Sequence, residues 1–178
     1  PQGQDVLDRF PTAAVEAYHM DNVIHAVRPN EYTRQHEHVT HAGVQPVPTL
    51  LEVPMPLIKI MFEDDHEHLL ALRDYVSRQP WSADYEVFFS DRTLLEVTRK
   101  GASKGAMVAR LAKRLGISID HVYCAGDENN DLSMLTMAAE GFAPSNCVET
   151  VRSCGATIVA DCDHDTLAEI VSILDKRY

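Results

Sequence analysis

The chain has 178 residues, an apolar fraction of 45% and a formal net charge of −11. That length suits one large domain or two small ones with a real core, and the composition argues against disorder. The charge argues against nucleic-acid phosphates as partners, no apolar run nears the roughly 18 residues that cross a bilayer, and "PQGQDVLDRF" lacks the regions of a signal peptide. The four cysteines form no CxxC pair and read as small buried hydrophobes of a reducing cytoplasm, with no spacing that supports zinc.

Residues 1–98 read as a mixed α+β region. Strands are expected at "NVIHAV" (22–27), "LIKIMF" (57–62), "YEVFFS" (85–90) and "TLLEVT" (93–98), all rich in β-branched or aromatic residues. The short turn between the last two predicts an antiparallel hairpin. "HAGVQPVPTLLEVPMP" (41–56) carries four prolines and reads as an extended connection. "DDHEHLLALRDYVSRQP" predicts a helix capped by Asp64 or Asp65, with Leu69, Leu72, Tyr75 and Val76 as its inner stripe and Pro80 as its stop. The histidine-rich runs "RQHEHVTH" (34–41) and "EDDHEH" (63–68) read as a polar loop and a solvated helix start; HxH spacing is the only zinc signal in either.

Residues 99–178 alternate helix and strand. A helix is expected over 103–116, with Ser103 as N-cap, Gly116 as stop and Met107, Val108, Leu111 and Leu115 on one face. "HVYCAG" (121–126) is apolar in its middle, as a strand covered on both faces would be. A helix follows to Gly141, then a very short strand "FAP". Next comes a helix from Ser145 or Asn146 to Gly155, a strand "ATIVA" (156–160) and a last helix from 165 to the end. This alternation implies parallel pairing in an α/β layer, where ligands bind beyond the carboxyl ends of the strands.

"GDENND" (126–131) lies at such an end. Gly126 lets the backbone turn off the strand, and Asp127 projects from the sheet. Asn130 and Asp131 start the next helix, where either could be a simple N-cap. Carboxylates and amides packed this closely suit a hard cation such as Mg²⁺, and the spacing is not that of an EF-hand. Lys104 sits in a helix's first turn, where the macrodipole disfavours a cation. Near Asp127 and Asp131 it would neutralise carboxylates and clamp a phosphate oxygen.

"KGASKGAMVARLAKRLGI", "VYCAGDENNDLSML" and "GFAPSN" together resemble the second half of a haloacid dehalogenase-like phosphatase of the Cof type. "PLIKIMFEDD" and "FFSDRTLLEVTRKG" resemble that family's inserted cap and its return to the core. The resemblance implies an α/β fold, with an α+β cap over 1–98 and the C-terminal part of a Rossmann-like core over 99–178. It implies Mg²⁺-dependent hydrolysis of small phosphorylated metabolites, such as sugar phosphates or phosphorylated cofactors, through a phosphoaspartate. Asp127 matches the metal ligand, Asn130 the phosphate contact and Lys104 the lysine that bridges phosphate and nucleophile. Asp131 matches the aspartate that orients Lys104 or a metal-bound water. His25, Arg28 and Tyr32, on or just after a cap strand, could face the leaving group.

The pattern also departs from the family. "GFAPSNC" (141–147) and "DCDHDTLAEI" (161–170) differ from the usual runs, and no DxDGT-like nucleophile run occurs. The expectation is that this chain starts inside the cap and is inactive alone. It would need its missing half, a second copy or a swapped strand to cover the "HVYCAG" edge. The alternatives are a phosphomutase-like transfer or a non-catalytic metal- or anion-binding module.

Overall fold

In the computed structural model, which describes residues 1–177, the chain forms two compact units, Pro1–Gly101 and the chain from Ala102 onward. The first contains α1 (Gln2–Arg9), β1 (Ala14–Tyr18), β2 (Ile24–Val27), α2 (Glu31–Thr40), β3 (Gln45–Pro46), β4 (Lys59–Glu63), α3 (His66–Ser77), β5 (Tyr85–Asp91) and β6 (Leu94–Arg99). Its sheet runs β3-β2-β1-β4-β6-β5, antiparallel except for the β2–β3 pair.

Register puts Val27, Val15, Phe62, Leu95 and Phe89 in one row across five strands. Val6 and Leu7 of α1 and Leu69, Leu72 and Val76 of α3 close over that row as the main core. As expected, Asp65 caps α3, accepting from the Glu67 amide, and β5 and β6 form a hairpin. The opposite face carries Glu16, Met61 and Glu63, and α2 packs against β1.

Three elements differ from expectation, and each differs for a physical reason. The helix α1 buries only Val6 and Leu7, too short a stripe to signal itself. "AVEAY" forms the inner strand β1, although alanine and glutamate are weak strand formers, because both of its faces are covered. The run 34–41 is not a loop: residues 34–40 belong to α2, His41 ends it in the left-handed region, and a capping box starts it. Asn30 accepts from the amides of Tyr32 and Thr33, and the Thr33 hydroxyl accepts from the Asn30 amide.

The second unit contains α4 (Lys104–Leu115), β7 (Tyr123–Ala125), α5 (Leu132–Met137), β8 (Glu140–Pro144), α6 (Glu149–Arg152), β9 (Thr157–Val159) and α7 (Thr166–Leu174). Its sheet is parallel in the order β7-β8-β9, so the expected α/β class is found. Ser103 caps α4 by accepting from Ala106, and Gly116 ends it in the left-handed region at φ 71°.

The helix expected to reach Gly141 stops at Met137, because residues 140–144 form the central strand. Gly141 lies so close to α5 that a Cβ there would meet the Leu135 carbonyl oxygen at 2.7 Å. The helix expected over 146–155 shrinks to four residues, because Cys147 first turns back to bond the Pro144 carbonyl. The last helix ends at Leu174; Tyr178 lies outside the described residues. The α4 stripe is also rotated. Gly105 and Ala112 are buried and Val108 packs partly into the core, whereas Met107, Leu111 and Leu115 are exposed. The cysteines split: Cys124 and Cys147 are buried, Cys154 is intermediate and Cys162 is exposed.

Candidate active site

The site of the second unit is assembled by two close approaches. At the first, Gly105 of α4 lies against α5. Its amide donates to the Ser133 hydroxyl at 3.0 Å, and a Cβ there would lie 2.2 Å from the Ser133 carbonyl oxygen. Only glycine lets the two helix starts meet this closely. The contact delivers Lys104, the first residue of α4, to the loop that precedes α5.

At the second, the 126–131 loop closes over its own last residue. The Asp131 carboxylate lies beneath Gly126, where a Cβ would stand 2.4 Å from Asp131 Cβ. Asp131 Oδ2 accepts from the amides of Asp127 at 3.0 Å and Glu128 at 3.1 Å. Asp131 Oδ1 accepts from Lys104 Nζ, which also donates to Asn130 Oδ1 at 3.3 Å. Lys104, Asn130 and Asp131 therefore form one cluster, and the cation among these groups is Lys104.

The two aspartates of the loop have different environments. Asp131 is 3% exposed and both its oxygens are engaged inside the protein. Asp127 is exposed at the carboxyl end of β7 and lines a cleft of about 490 Å³ with Pro144, Cys162, Asp163, Asp165 and Thr166. Its backbone is anchored: the Val148 amide donates to its carbonyl, and the Gly126 amide donates to Phe142 across β7 and β8. The cleft rim is acidic. Asp161 beside it is held below the usual carboxylate range, first by its hydrogen bond from His164. A rim of this charge attracts a cation and repels a bare phosphate.

The other candidates lie in the first unit. Arg28 donates to the Pro11 carbonyl at 3.0 Å, and His25 pairs with His19 at 3.0 Å. Sequence reasoning missed one cluster there: His36, placed in a solvated run, turns inward to Glu16 and Glu63. The N-x-x-T capping pattern at Asn30 was the available signal for the helix that aims it.

A family model for haloacid dehalogenase-like hydrolases matches residues 7–171. The chain belongs to that family. The resemblance carried by the lysine helix and the GDENND loop is thus borne out. Among curated haloacid dehalogenase-type relatives, an HMP-PP phosphatase from Klebsiella pneumoniae is 28% identical over 116 residues, 64% of this chain and 42% of that protein. A further match, 32% identical over 114 residues, is to the chloroplastic endoribonuclease YBEY of Arabidopsis thaliana and covers 64% of this chain but 19% of that protein. A solved subclass IIB sugar phosphatase of the superfamily superposes with a TM-score of 0.83 at 19% identity, over 97% of this chain and 64% of that one. The chain therefore spans less than two thirds of each of these relatives. Among the described residues, no helix is long and apolar enough to cross a membrane.

Proposed function

We propose that this chain is the cap and the C-terminal part of the core of a cytoplasmic, Mg²⁺-dependent phosphatase of the Cof type, acting on small phosphorylated metabolites. The observation that carries the reading is the pairing of Lys104 with the buried Asp131 beside the exposed Asp127. A lysine held by a carboxylate that is itself fixed by two backbone amides is a pre-oriented phosphate clamp. The names of the phosphatase relatives support a small metabolite as substrate. RNA cleavage has no comparable support: the endoribonuclease match covers 19% of that protein, and this chain's charge of −11 repels RNA.

Each residue then has a role. Lys104 and Asn130 grip the transferring phosphoryl group. Asp131 positions Lys104 and is unsuited to bind a metal directly, since both its oxygens are engaged. Asp127 fits a hard cation, offering an exposed carboxylate at the cleft. Mg²⁺ commonly takes one or two protein carboxylates and keeps places for water and phosphate. When bound, it would neutralise charge on the phosphoryl group. The nucleophile is an aspartate of a DxDGT-like run, absent from these 178 residues. Its oxygen attacks phosphorus as the ester P–O bond breaks, the leaving oxygen takes a proton from the general acid that the resemblance places two residues beyond the nucleophile, and water then hydrolyses the phosphoaspartate. The exposed Met107, Leu111 and Leu115 support a larger core around the second unit.

The test compares the 178-residue chain with a protein that also carries the nucleophile run, assayed for phosphate release from a generic ester with Mg²⁺. The longer protein should turn over, lose activity on Asp127→Ala and keep its fold, and the short chain should be inactive. Full turnover in Asp127→Ala or equal activity in both chains would overturn the reading. Isomerised sugar phosphate without free phosphate would make the enzyme a mutase.

A further inference from the structure

We propose that Glu16, His36 and Glu63 hold a divalent transition-metal ion of the zinc or manganese kind, which fastens α2 to the sheet of the first unit. This site is separate from Asp127 and does not depend on the reading of the second unit.

The three residues come from different elements. Glu16 on β1 and Glu63 on β4 share a sheet face, because Glu16 pairs with Met61 and Glu63 lies two residues further along the strand. His36 reaches that face from α2, one turn after Thr33. One ligand atom from each residue lies within 4.8 Å of the others, and His36 Nδ1 is 3.2 Å from Glu16 Oε2 and 3.7 Å from Glu63 Oε1. Ligand atoms around an ion bound at about 2.1 Å stand roughly 3 to 3.4 Å apart, so small side-chain rotations suffice.

Two further observations point to a ligand. Glu16 is 1% exposed and Glu63 is 0% exposed, yet the Oε1 atom of each is buried with no hydrogen-bond partner. The second oxygen of each is oriented by a hydroxyl, from Tyr18 on Glu16 and from Thr33 on Glu63. Such hydroxyls hold a carboxylate for coordination. On Glu63 the unpartnered Oε1 is the oxygen that faces His36, and on Glu16 the Tyr18-bonded Oε2 faces it while Oε1 stays unpartnered.

The charge balance gives the same result. Two buried carboxylates need about two positive charges nearby. Protonated His36 supplies one. Lys59 is engaged elsewhere, 2.9 Å from Glu96 and over the Tyr18 ring. A divalent ion with neutral imidazole balances both acids. One imidazole with two carboxylates suits zinc, manganese or ferrous iron better than magnesium.

The test uses the full 178-residue chain with Asp127→Ala, so that the second unit's carboxylate does not contribute. After treatment with chelator and dialysis, Zn²⁺ and, separately, Mn²⁺ are titrated. Bound metal is counted by elemental analysis and the thermal midpoint is followed. One ion per chain should bind and raise the midpoint. Glu63→Gln and His36→Gln should each weaken binding by about tenfold or more. Cobalt(II) added to the same protein should give visible ligand-field bands that His36→Gln abolishes. His36 is partly exposed, so this variant carries the test if Glu63→Gln fails to fold. Metal binding unchanged in both variants would overturn the proposal. So would a chain that binds neither ion; Glu63→Gln raising the midpoint at neutral pH would then show that the acids share a proton instead.

Discussion

Replacing Asp131 separates its two structural duties. Asp131→Ala removes the acceptor of the Asp127 and Glu128 amides from a residue 3% exposed. An unsatisfied buried donor costs about 1–3 kcal/mol. Asp127 itself is exposed, so water can reach part of this loop and the low end applies. The lost pair with Lys104 adds little, because the lysine side chain is 49% exposed. The expected loss is about 2–4 kcal/mol. Asp131→Asn keeps an oxygen for the two amides when its own amide group faces Lys104. Its NH2 cannot accept from the Lys104 ammonium, so the half-exposed lysine turns out to water. The variant loses the charge pair but leaves no buried donor bare, and should cost less than about 1 kcal/mol. The single tryptophan, Trp81, lies in the first unit, so its fluorescence reports the wrong region. Amide hydrogen exchange of peptides from the second unit, followed through a urea series, reads the right one. Equal losses in the two variants would refute the assignment and make the charge pair, not the backbone acceptor, the main restraint. No loss in Asp131→Ala would refute it as well.

Gly105→Ala forces a methyl to within 2.2 Å of the Ser133 carbonyl oxygen, so it should destabilise the second unit by about 1–3 kcal/mol in the same exchange assay, while Gly43→Ala, with nothing within 4 Å, should leave the first unit's unfolding, followed by Trp81 fluorescence, nearly unchanged. In the protein carrying the nucleophile run, Lys104→Ala should lower turnover by about a hundredfold or more with an unfolding midpoint near wild type. A fallen midpoint with intact turnover would make the lysine structural. In chelator, stability of the first unit should fall as pH rises from about 5 to about 8. Glu63 moves from its ordinary 4.5 to about 7 through burial, and His36 is held above its ordinary 6.5, first by its hydrogen bond to Glu16. Both shifts make the folded chain bind more protons than the unfolded one in this range, among neighbours Glu16, Glu37 and Lys59. Urea midpoints across that range should slope downward, and Glu63→Gln should flatten the slope.

What the sequence determined by itself is local. Ser103 and Gly116 bound α4, Asp65 starts α3, and the turn after Asp91 makes a hairpin, because caps and turns depend on residues within a few positions of one another. The lysine helix and the GDENND loop were legible for the same reason, and they carried the family. Tertiary structure decided the rest. Which face of α4 is buried followed from the contact of Gly105 with Ser133, so Ala112 went inside and Leu111 stayed out. Which loop aspartate is buried followed from the space beneath Gly126. The strand at "AVEAY" and the helix over the histidine run had weak propensity and little apolar pattern, and they formed because a sheet and a core were there to receive them. Glu16, His36 and Glu63 are far apart in the chain, and only sheet register and the seating of α2 bring their ligand atoms within 4.8 Å of one another.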